Sequence, residues 1–214
     1  MTKAEKEKQA GVSGNERIVA FSDGVFAIVI TLLVLEIKVP EIAAGLVAEE
    51  LPRALVDLWP KVLSHFVSFA VLGIYWVGHH TMFMYIKRHD RVLLWLNILF
   101  LMFVSSMPFP TGLLSQYGDQ QIALVIYCGV LILVGLAAIA MWWYATADRR
   151  LVDEDIDPTL IALIYRRGLL TPAIYLVAIV ASFVSLGIAE LFVVIAILIY
   201  VVPNPLTYHR KTVR

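Results

Sequence analysis

Six long apolar stretches dominate the chain and constrain its fold more than any other feature. They cover about residues 18–38, 58–82, 91–111, 121–145, 167–187 and 189–205. A helix needs roughly 20 mostly apolar residues to cross the hydrocarbon core of a bilayer, and each stretch is close to that length. Hydrophobic residues make up 60% of the 214 positions. The sequence therefore predicts an all-α integral membrane protein, a bundle of six spanning helices.

Basic residues are distributed unevenly between the two sides that six spans define. One side receives fourteen of the 17 Lys and Arg residues, and the other side receives three. The fourteen lie in segments 3–17, 87–91, 149–167 and 210–214. The three are Lys38, Arg53 and Lys61. Because short cytoplasmic loops are enriched in Lys and Arg, we expect both termini in the cytoplasm.

The ends of the chain differ in composition from its middle. Residues 1–14 are polar and show no hydrophobic periodicity, which predicts a disordered cytoplasmic tail. Residues 15–206 form the predicted six-helix transmembrane domain, and residues 207–214 form a basic cytoplasmic tail. The single cysteine, Cys128, falls within the fourth stretch, so an intrachain disulfide is excluded.

The first apolar stretch begins with a polar cluster, which makes it the most informative part of the chain. A carboxylate such as Asp23 costs roughly 2.5 to 3.5 kcal/mol near the centre of an inserted helix, so it needs a partner or water. At about 100° per residue, one stripe of this helix contains Gly24, Ile28, Thr31, Leu32 and Leu35. Asp23 points roughly 140° away from Ile28.

Helical periodicity is compatible with two interpretations of this stripe. Ordinary helix packing produces apolar stripes. Alternatively, several copies of the helix surround a symmetry axis, where apolar rings gate a pore by dewetting and hydroxyls replace part of an ion's hydration shell. Asp23 and Ser22 would then face the helix's own subunit.

Polar residues on the second and third stretches are candidate partners for Asp23. They are Trp76, His79, His80 and Asn97, all toward the inner ends of their helices. A network that joins Arg17 to Asp23 and includes these four residues would give every polar group in it a hydrogen-bond partner at one depth in the membrane. It is either a structural brace or a proton-sensing element, since histidine titrates near neutral pH when its surroundings permit.

Four residues at the inner end of the first stretch form the pattern R-x-x-x-F-S-D: Arg17, Phe21, Ser22 and Asp23. This pattern resembles the signature of the endosomal/lysosomal potassium channel family, the transmembrane protein 175 type. The run from Gly24 to Pro40 looks like that of bacterial members, and Trp76, His79 and His80 on the second stretch are also similar. The resemblance covers at least residues 17–100.

The resemblance implies a homotetramer with one repeat per chain and a central pore lined by the first helix. Carried over, the constriction residues are Ile28, Leu32 and Leu35, and Thr31 is the hydroxyl layer near which permeant K⁺ passes. The four motif residues hold the first helix against its neighbours. The expected partners are further copies of the chain, membrane lipid and monovalent cations, with no nucleic acid, no resident metal and no cofactor besides K⁺. The expected location is the bacterial plasma membrane.

Two other functions compete with the channel. A proton-coupled secondary transporter would use Asp23, His79 and His80. Transporter sites are usually built on broken helices, whereas we expect no break between Ile28 and Leu35. An intramembrane enzyme or electron carrier has no Cys-His zinc set, no Ser-His pair and no second helix with haem ligands, so the sequence predicts no enzyme.

Overall fold

The computed structural model describes the backbone of residues 3–201 and the side chains of residues 14–200. Its α-helices are α1 (Lys3–Leu32), α2 (Val47–Asp57), α3 (Trp59–Tyr85), α4 (Arg91–Ser105), α5 (Pro108–Gln116), α6 (Gln121–Thr146), α7 (Pro158–Ser182) and α8 (Leu186–Val201). Short 3₁₀ turns follow α1 at Leu33–Glu36 and α6 at Ala147–Arg149. The described residues contain no β-strand, only an isolated antiparallel bridge between Ile86 and Val152.

The predicted six-helix bundle is confirmed. Among the described residues, five helical segments are long and apolar enough to cross a membrane, and a shorter sixth follows at Leu186–Tyr200. The five are Gly14–Glu36, Val47–Tyr85, Arg91–Gln116, Gln121–Arg149 and Pro158–Ser182. Residues 202–205 of the predicted sixth span and the predicted tail 207–214 lie outside the described part of the chain.

Helix α6 lies at the centre of the bundle and packs on α4, α5 and α7, while α8 packs on α7. It is apolar on all sides, as expected for a helix with protein neighbours all around it. Its Tyr127, Leu131 and Trp142 side chains are almost fully buried. Helix α1 packs on α3 and α4 at one edge of this bundle, so one of its faces stays outside the core.

The connection before α7 is shorter than the predicted apolar stretches implied. Those stretches, 121–145 and 167–187, left residues 146–166 between them, whereas α7 begins at Pro158 and contains Arg166 and Arg167. The cause is the Asp157-Pro158 pair, in which the Asp157 side chain accepts a hydrogen bond from the Thr159 amide and Pro158 occupies the first helical turn. Both arginines therefore lie within a spanning helix.

Two further helix boundaries lie at Leu58 and at Ser106–Met107. Helix α2 contains Pro52 in its interior, and Leu58 links it to α3 in helical geometry. The fixed φ of proline is compatible with a helix. Because proline has no backbone N–H, one helical hydrogen bond is lost, which an exposed helix tolerates. The third apolar stretch divides at Ser106 and Met107 into α4 and α5.

The helical backbone of α1 begins at Lys3, within the segment predicted as a disordered tail. Residues 3–10 are rich in Lys, Glu, Gln and Ala, which have high helix propensity, so a helical extension of the first span needs no core contacts of its own. The domain boundaries at 14 and 206 stay predictions.

Candidate functional site

One face of α1 is exposed along its apolar length. The exposed fractions of Ile28, Leu32 and Leu35 are 60%, 41% and 65%. The opposite face is at most 6% exposed at five positions: Ile18, Ser22, Phe26, Val29 and Leu33. The predicted stripe is therefore the face that α1 turns away from its own subunit, and no described residue of this chain covers it.

The helical geometry changes within this stripe. Helix α1 ends at Leu32, and Leu33–Glu36 form a 3₁₀ turn that includes Leu35. The chain therefore stays helical between Ile28 and Leu35, as expected, although its last turn is tighter than an α-helix. A tighter last turn is common at helix ends because it satisfies some of the final carbonyl groups. Leu35 nevertheless keeps the exposed orientation that the stripe predicted.

Thr31 presents its oxygen on the exposed face. Its hydroxyl lies 2.9 Å from the Ala27 carbonyl and 2.8 Å from the Ile28 carbonyl and donates to them. The hydroxyl hydrogen is thus directed into the helix backbone. The lone pairs of Oγ1 remain free to accept a hydrogen bond or to contact a cation.

A buried hydrogen-bonded chain links α1 to α4 and α3. The Ser22 hydroxyl donates to the Ile18 carbonyl at 2.8 Å and accepts from Asn97 Nδ2 at 3.0 Å. Asn97 Oδ1 lies 2.9 Å from His79 Nε2. Because this oxygen can only accept, His79 carries its proton on Nε2. His79 Nδ1 is buried without a partner among the described atoms.

Asp23 belongs to a second contact between α1 and α3. Trp76 Nε1 donates to Asp23 Oδ1 at 2.8 Å, and the Trp76 ring stacks on His80 with centroids 5.9 Å apart. Arg17 is exposed and makes no ion pair with Asp23 among the described side chains. The predicted single network is thus divided into two separate pairings.

The four motif residues divide between the two faces of α1. Ser22 is buried and Asp23 is half-buried, and both bond to neighbouring helices. Arg17 is exposed and Phe21 is 59% exposed, on the same face as Ile28. This division follows from helical spacing, since positions 17, 21, 24 and 28 lie on one side. Of the four motif residues, only Ser22 and Asp23 form hydrogen bonds to neighbouring helices of the same chain.

Sequence reasoning missed the contact that holds α1 where its apolar span begins. Asn15 Nδ2 donates to the Ile86 carbonyl at 2.9 Å, and His89 Nδ1 donates to Asn15 Oδ1 at 3.1 Å. Gly14 makes room for the His89 ring, because a Cβ there would overlap the imidazole. No local signal in the sequence pairs residues so far apart along the chain.

At the C-terminal end of the first span, Glu36 packs on α5 instead of entering the exposed stripe. A Cβ on Gly112 would overlap the Glu36 carboxylate, so this glycine permits the close approach. Among the described residues, no group of three or more His, Cys, Asp and Glu side chains could hold a metal ion. The exposed face of α1 is therefore apolar between Phe21 and Leu32 apart from the hydroxyl of Thr31.

Comparisons with known proteins identify several relatives. A sequence model described as endosomal/lysosomal potassium channel TMEM175 matches residues 17–108. A potassium channel of Streptomyces collinus is 45% identical over 145 residues, which cover 66% of this chain and 69% of the relative. The chicken protein named endosomal/lysosomal proton channel TMEM175 is 34% identical over 146 residues, 63% of this chain and 29% of that protein.

A relative from Chamaesiphon minutus matches both in sequence and in structure. This potassium channel is 37% identical over 196 residues, which cover 88% of this chain and 92% of the relative. The crystal structure of a lysosomal potassium-selective channel TMEM175 homolog from the same organism superposes with a TM-score of 0.78. That structural match has 35% identity and covers 88% of this chain and 97% of the other.

Proposed function

Because this chain belongs to the TMEM175 family of endosomal/lysosomal potassium channels, we propose that it is a potassium-permeable cation channel whose central pore is lined by α1. The family is one of ion channels and not of enzymes. One observation carries the proposal: Ile28, Leu32 and Leu35 are exposed on the face of α1 that has no partner in its own chain.

Assembly of identical subunits gives this face a partner. Most homo-oligomers have closed symmetry, and a cyclic arrangement places the same helix of every copy around one axis. We propose four copies, in which the exposed faces of α1 meet. The buried face of α1, with Ser22 and Phe26, then remains packed on its own subunit, as the burial pattern supports.

The pore proposed here has an apolar constriction. Rings of Ile28, Leu32 and Leu35 narrow it and disfavour water when it is closed, which is the physical basis of a hydrophobic gate. Thr31 lies between Ile28 and Leu32, and its free lone pairs replace part of the hydration shell of a passing K⁺. Conduction by this route requires no carbonyl filter and no resident cofactor or metal.

The two polar pairings fix the orientation of the pore helix. Ser22 bonds to Asn97 on α4, and Asp23 bonds to Trp76 on α3, so α1 is held against both neighbours. Rotation of α1 about its axis would break the buried Ser22–Asn97 bond and the more exposed Asp23–Trp76 bond, and the broken buried bond leaves an unsatisfied polar group. We therefore assign this brace to holding Ile28 toward the axis.

We propose that both termini lie in the cytoplasm and that the protein belongs to a bacterial plasma membrane. With Arg166 and Arg167 reassigned to α7, twelve basic residues still lie on the inner side against three on the outer side. This asymmetry still supports an orientation with both termini in the cytoplasm.

A proton-coupled transporter is the second candidate. The chicken relative is named a proton channel, and His79 has a buried ring nitrogen without a partner among the described atoms. However, His79 is hydrogen-bonded to Asn97, whereas Asp23 is hydrogen-bonded to Trp76, on which His80 stacks. No hydrogen bond among the described side chains joins Asp23, His79 and His80 to one another, as a direct proton path through the three residues would require.

Current recordings in planar bilayers test the proposed function. The wild-type protein should show unitary K⁺ currents at channel rates, and Ile28→Asn should raise conductance or reduce selectivity, because an amide wets the constriction. Leu176→Asn is the matched control, since Leu176 on α7 is 57% exposed, close to the 60% of Ile28. Flux that saturates at low K⁺ concentration, with Ile28→Asn indistinguishable from Leu176→Asn, would favour the transporter.

A further inference from the structure

An apolar crevice of about 710 Å³ separates α3 from α6, α7 and α8. Its wall on α3 extends from Phe69 to Tyr85, and its wall on α7 extends from Leu160 to Thr171. At 1.5 Å per residue, the α3 wall is about 24 Å long. The crevice thus has the volume of a typical ligand pocket and runs along the inner half of the bundle.

Glycines determine which helices approach each other around the crevice. Gly168 on α7 faces Ile139 on α6, where a Cβ would lie 3.1 Å from Ile139 Cγ1, and a Cβ on Gly135 would lie only 2.6 Å from Pro172 Cγ. These positions let α6 and α7 pack tightly. In contrast, a Cβ on Gly73 or Gly78 of α3 would meet no atom within 4 Å. The open space therefore lies along α3.

Arg167 is the charged residue of the crevice wall. It is half-buried in α7, about 13 Å along the helix from Pro158. Its guanidinium makes no ion pair with any described side chain, and residues 202–214, which follow α8, contain no Asp or Glu. Its backbone carbonyl accepts a hydrogen bond from the Tyr200 hydroxyl. An unpaired arginine is costly in a membrane helix, so this side chain requires an anion.

We propose that the crevice binds an acyl chain of an anionic phospholipid from the inner leaflet, with the lipid phosphate paired to Arg167. A guanidinium binds phosphate with two parallel hydrogen bonds, and its long stem lets it extend toward the headgroup region. Anionic lipids are concentrated in the cytoplasmic leaflet, and basic pockets between spanning helices on that side bind their headgroups. This inference uses the proposed membrane orientation but not the proposed pore.

Charge decides between this occupant and the alternatives. A neutral lipid would fill the apolar space but leave Arg167 without a counter-ion. A second copy of the chain would cover α3 but would have to supply an acidic side chain within the membrane. The anionic phospholipid satisfies the apolar walls and the guanidinium together.

Native mass spectrometry of the full-length protein provides the test. Protein stripped of lipid is exposed to phosphatidylglycerol or to phosphatidylcholine with identical acyl chains, and the lipids retained per subunit are counted. We expect the wild-type protein to retain at least 10-fold more phosphatidylglycerol than phosphatidylcholine. Arg167→Gln should remove the preference, and Arg167→Lys should restore part of it.

Filling the crevice is the second arm of the test. Gly73→Leu with Gly78→Leu should abolish retention of both lipids, whereas Gly129→Leu should not, because Gly129 also faces open space but does not line the crevice. An unchanged lipid preference in Arg167→Gln would overturn the proposal. The proposal would also be overturned if Gly73→Leu with Gly78→Leu lost the oligomer and Gly129→Leu kept it, since a second copy of the chain would then occupy the crevice. Neither readout depends on channel current.

Discussion

Trp76 donates its indole N–H to the Asp23 carboxylate at 2.8 Å and so ties α1 to α3. The bond gives a half-buried charge in a spanning segment the partner that it needs. It also explains why the motif combines a serine with an aspartate at adjacent positions. Adjacent residues on a helix point about 100° apart, so Ser22 and Asp23 contact two different neighbouring helices.

Trp76→Phe removes this bond while keeping the aromatic bulk. We expect it to lower the free energy of unfolding by about 1 kcal/mol, below the ~1.5–3 kcal/mol of a buried bond to a charged group, because Trp76 is 38% exposed. Thermal unfolding in detergent measures the loss. Trp95→Phe on α4 is the control, as Trp95 is 61% exposed. Equal effects of the two substitutions would show that the Asp23 bond contributes nothing.

Ser22→Ala tests the buried chain of hydrogen bonds. The substitution removes the acceptor of Asn97 Nδ2 and leaves a buried amide unsatisfied, which costs about 1–3 kcal/mol. Adding Asn97→Leu should cost less than the sum of the two single changes, because the unsatisfied group disappears. A double-mutant cycle from denaturant unfolding checks this. Strict additivity would contradict the direct Ser22–Asn97 bond.

The burial pattern of α1 could be predicted from its sequence, because helical periodicity alone separates Ile28 and Thr31 from Ser22. Which helix each polar residue contacts could not be predicted. Asn97 pairs with Ser22 and not with Asp23, since the choice depends on how α3 and α4 pack around α1. Periodicity describes one helix at a time and carries no information about such packing.

The start of α7 has a local sequence signal, but the prediction of the spans followed hydropathy instead. The Asp157-Pro158 pair marks the start of α7, but the predicted apolar stretch began only at residue 167. Because hydropathy treats every charge as unfavourable in a membrane, it cannot recognise an arginine that faces a crevice. The contact of Asn15 with Ile86 and His89 has no sequence signal, as it joins residues more than 70 positions apart.

Asp90 should make stability depend on pH on the inner side of the bundle. It caps α4, accepting hydrogen bonds from the Leu93 amide at 2.9 Å and from the Tyr144 hydroxyl at 2.6 Å. Partial burial works to raise the pKa of Asp90, but these hydrogen bonds outweigh it and hold the pKa below its usual range. The stabilisation is therefore present above the ordinary carboxyl range and is lost as pH falls through the lowered pKa.

Asp90→Ala should cost about 1 kcal/mol at neutral pH through the lost helix cap. Asp90→Asn should cost less, because the amide oxygen still accepts from the Leu93 backbone. The difference between wild type and Asp90→Asn should shrink as pH falls below about 4. Thermal unfolding across that pH range measures it. A difference that is constant with pH would contradict the role of the charge.

Thr31→Val tests the hydroxyl layer, because valine keeps the shape of threonine and removes its oxygen. We expect a lower permeability ratio of K⁺ to Na⁺ in bilayer recordings, while Thr31→Ser should retain most of it. Serine preserves an oxygen that can donate to the Ala27 or Ile28 carbonyl. If the valine variant keeps the wild-type ratio, Thr31 does not contribute to discrimination between the ions.

Modification of a cysteine at position 28 tests the central claim most directly. In a Cys128→Ser background, Ile28→Cys is treated with a positively charged methanethiosulfonate reagent during K⁺ recordings, with Leu176→Cys as the control. If the exposed face of α1 lines the pore, the current through Ile28→Cys should fall by more than half and recover on reduction, and the control should be unaffected. Full labelling of position 28, confirmed by mass, with no change in current would contradict a pore lined by α1.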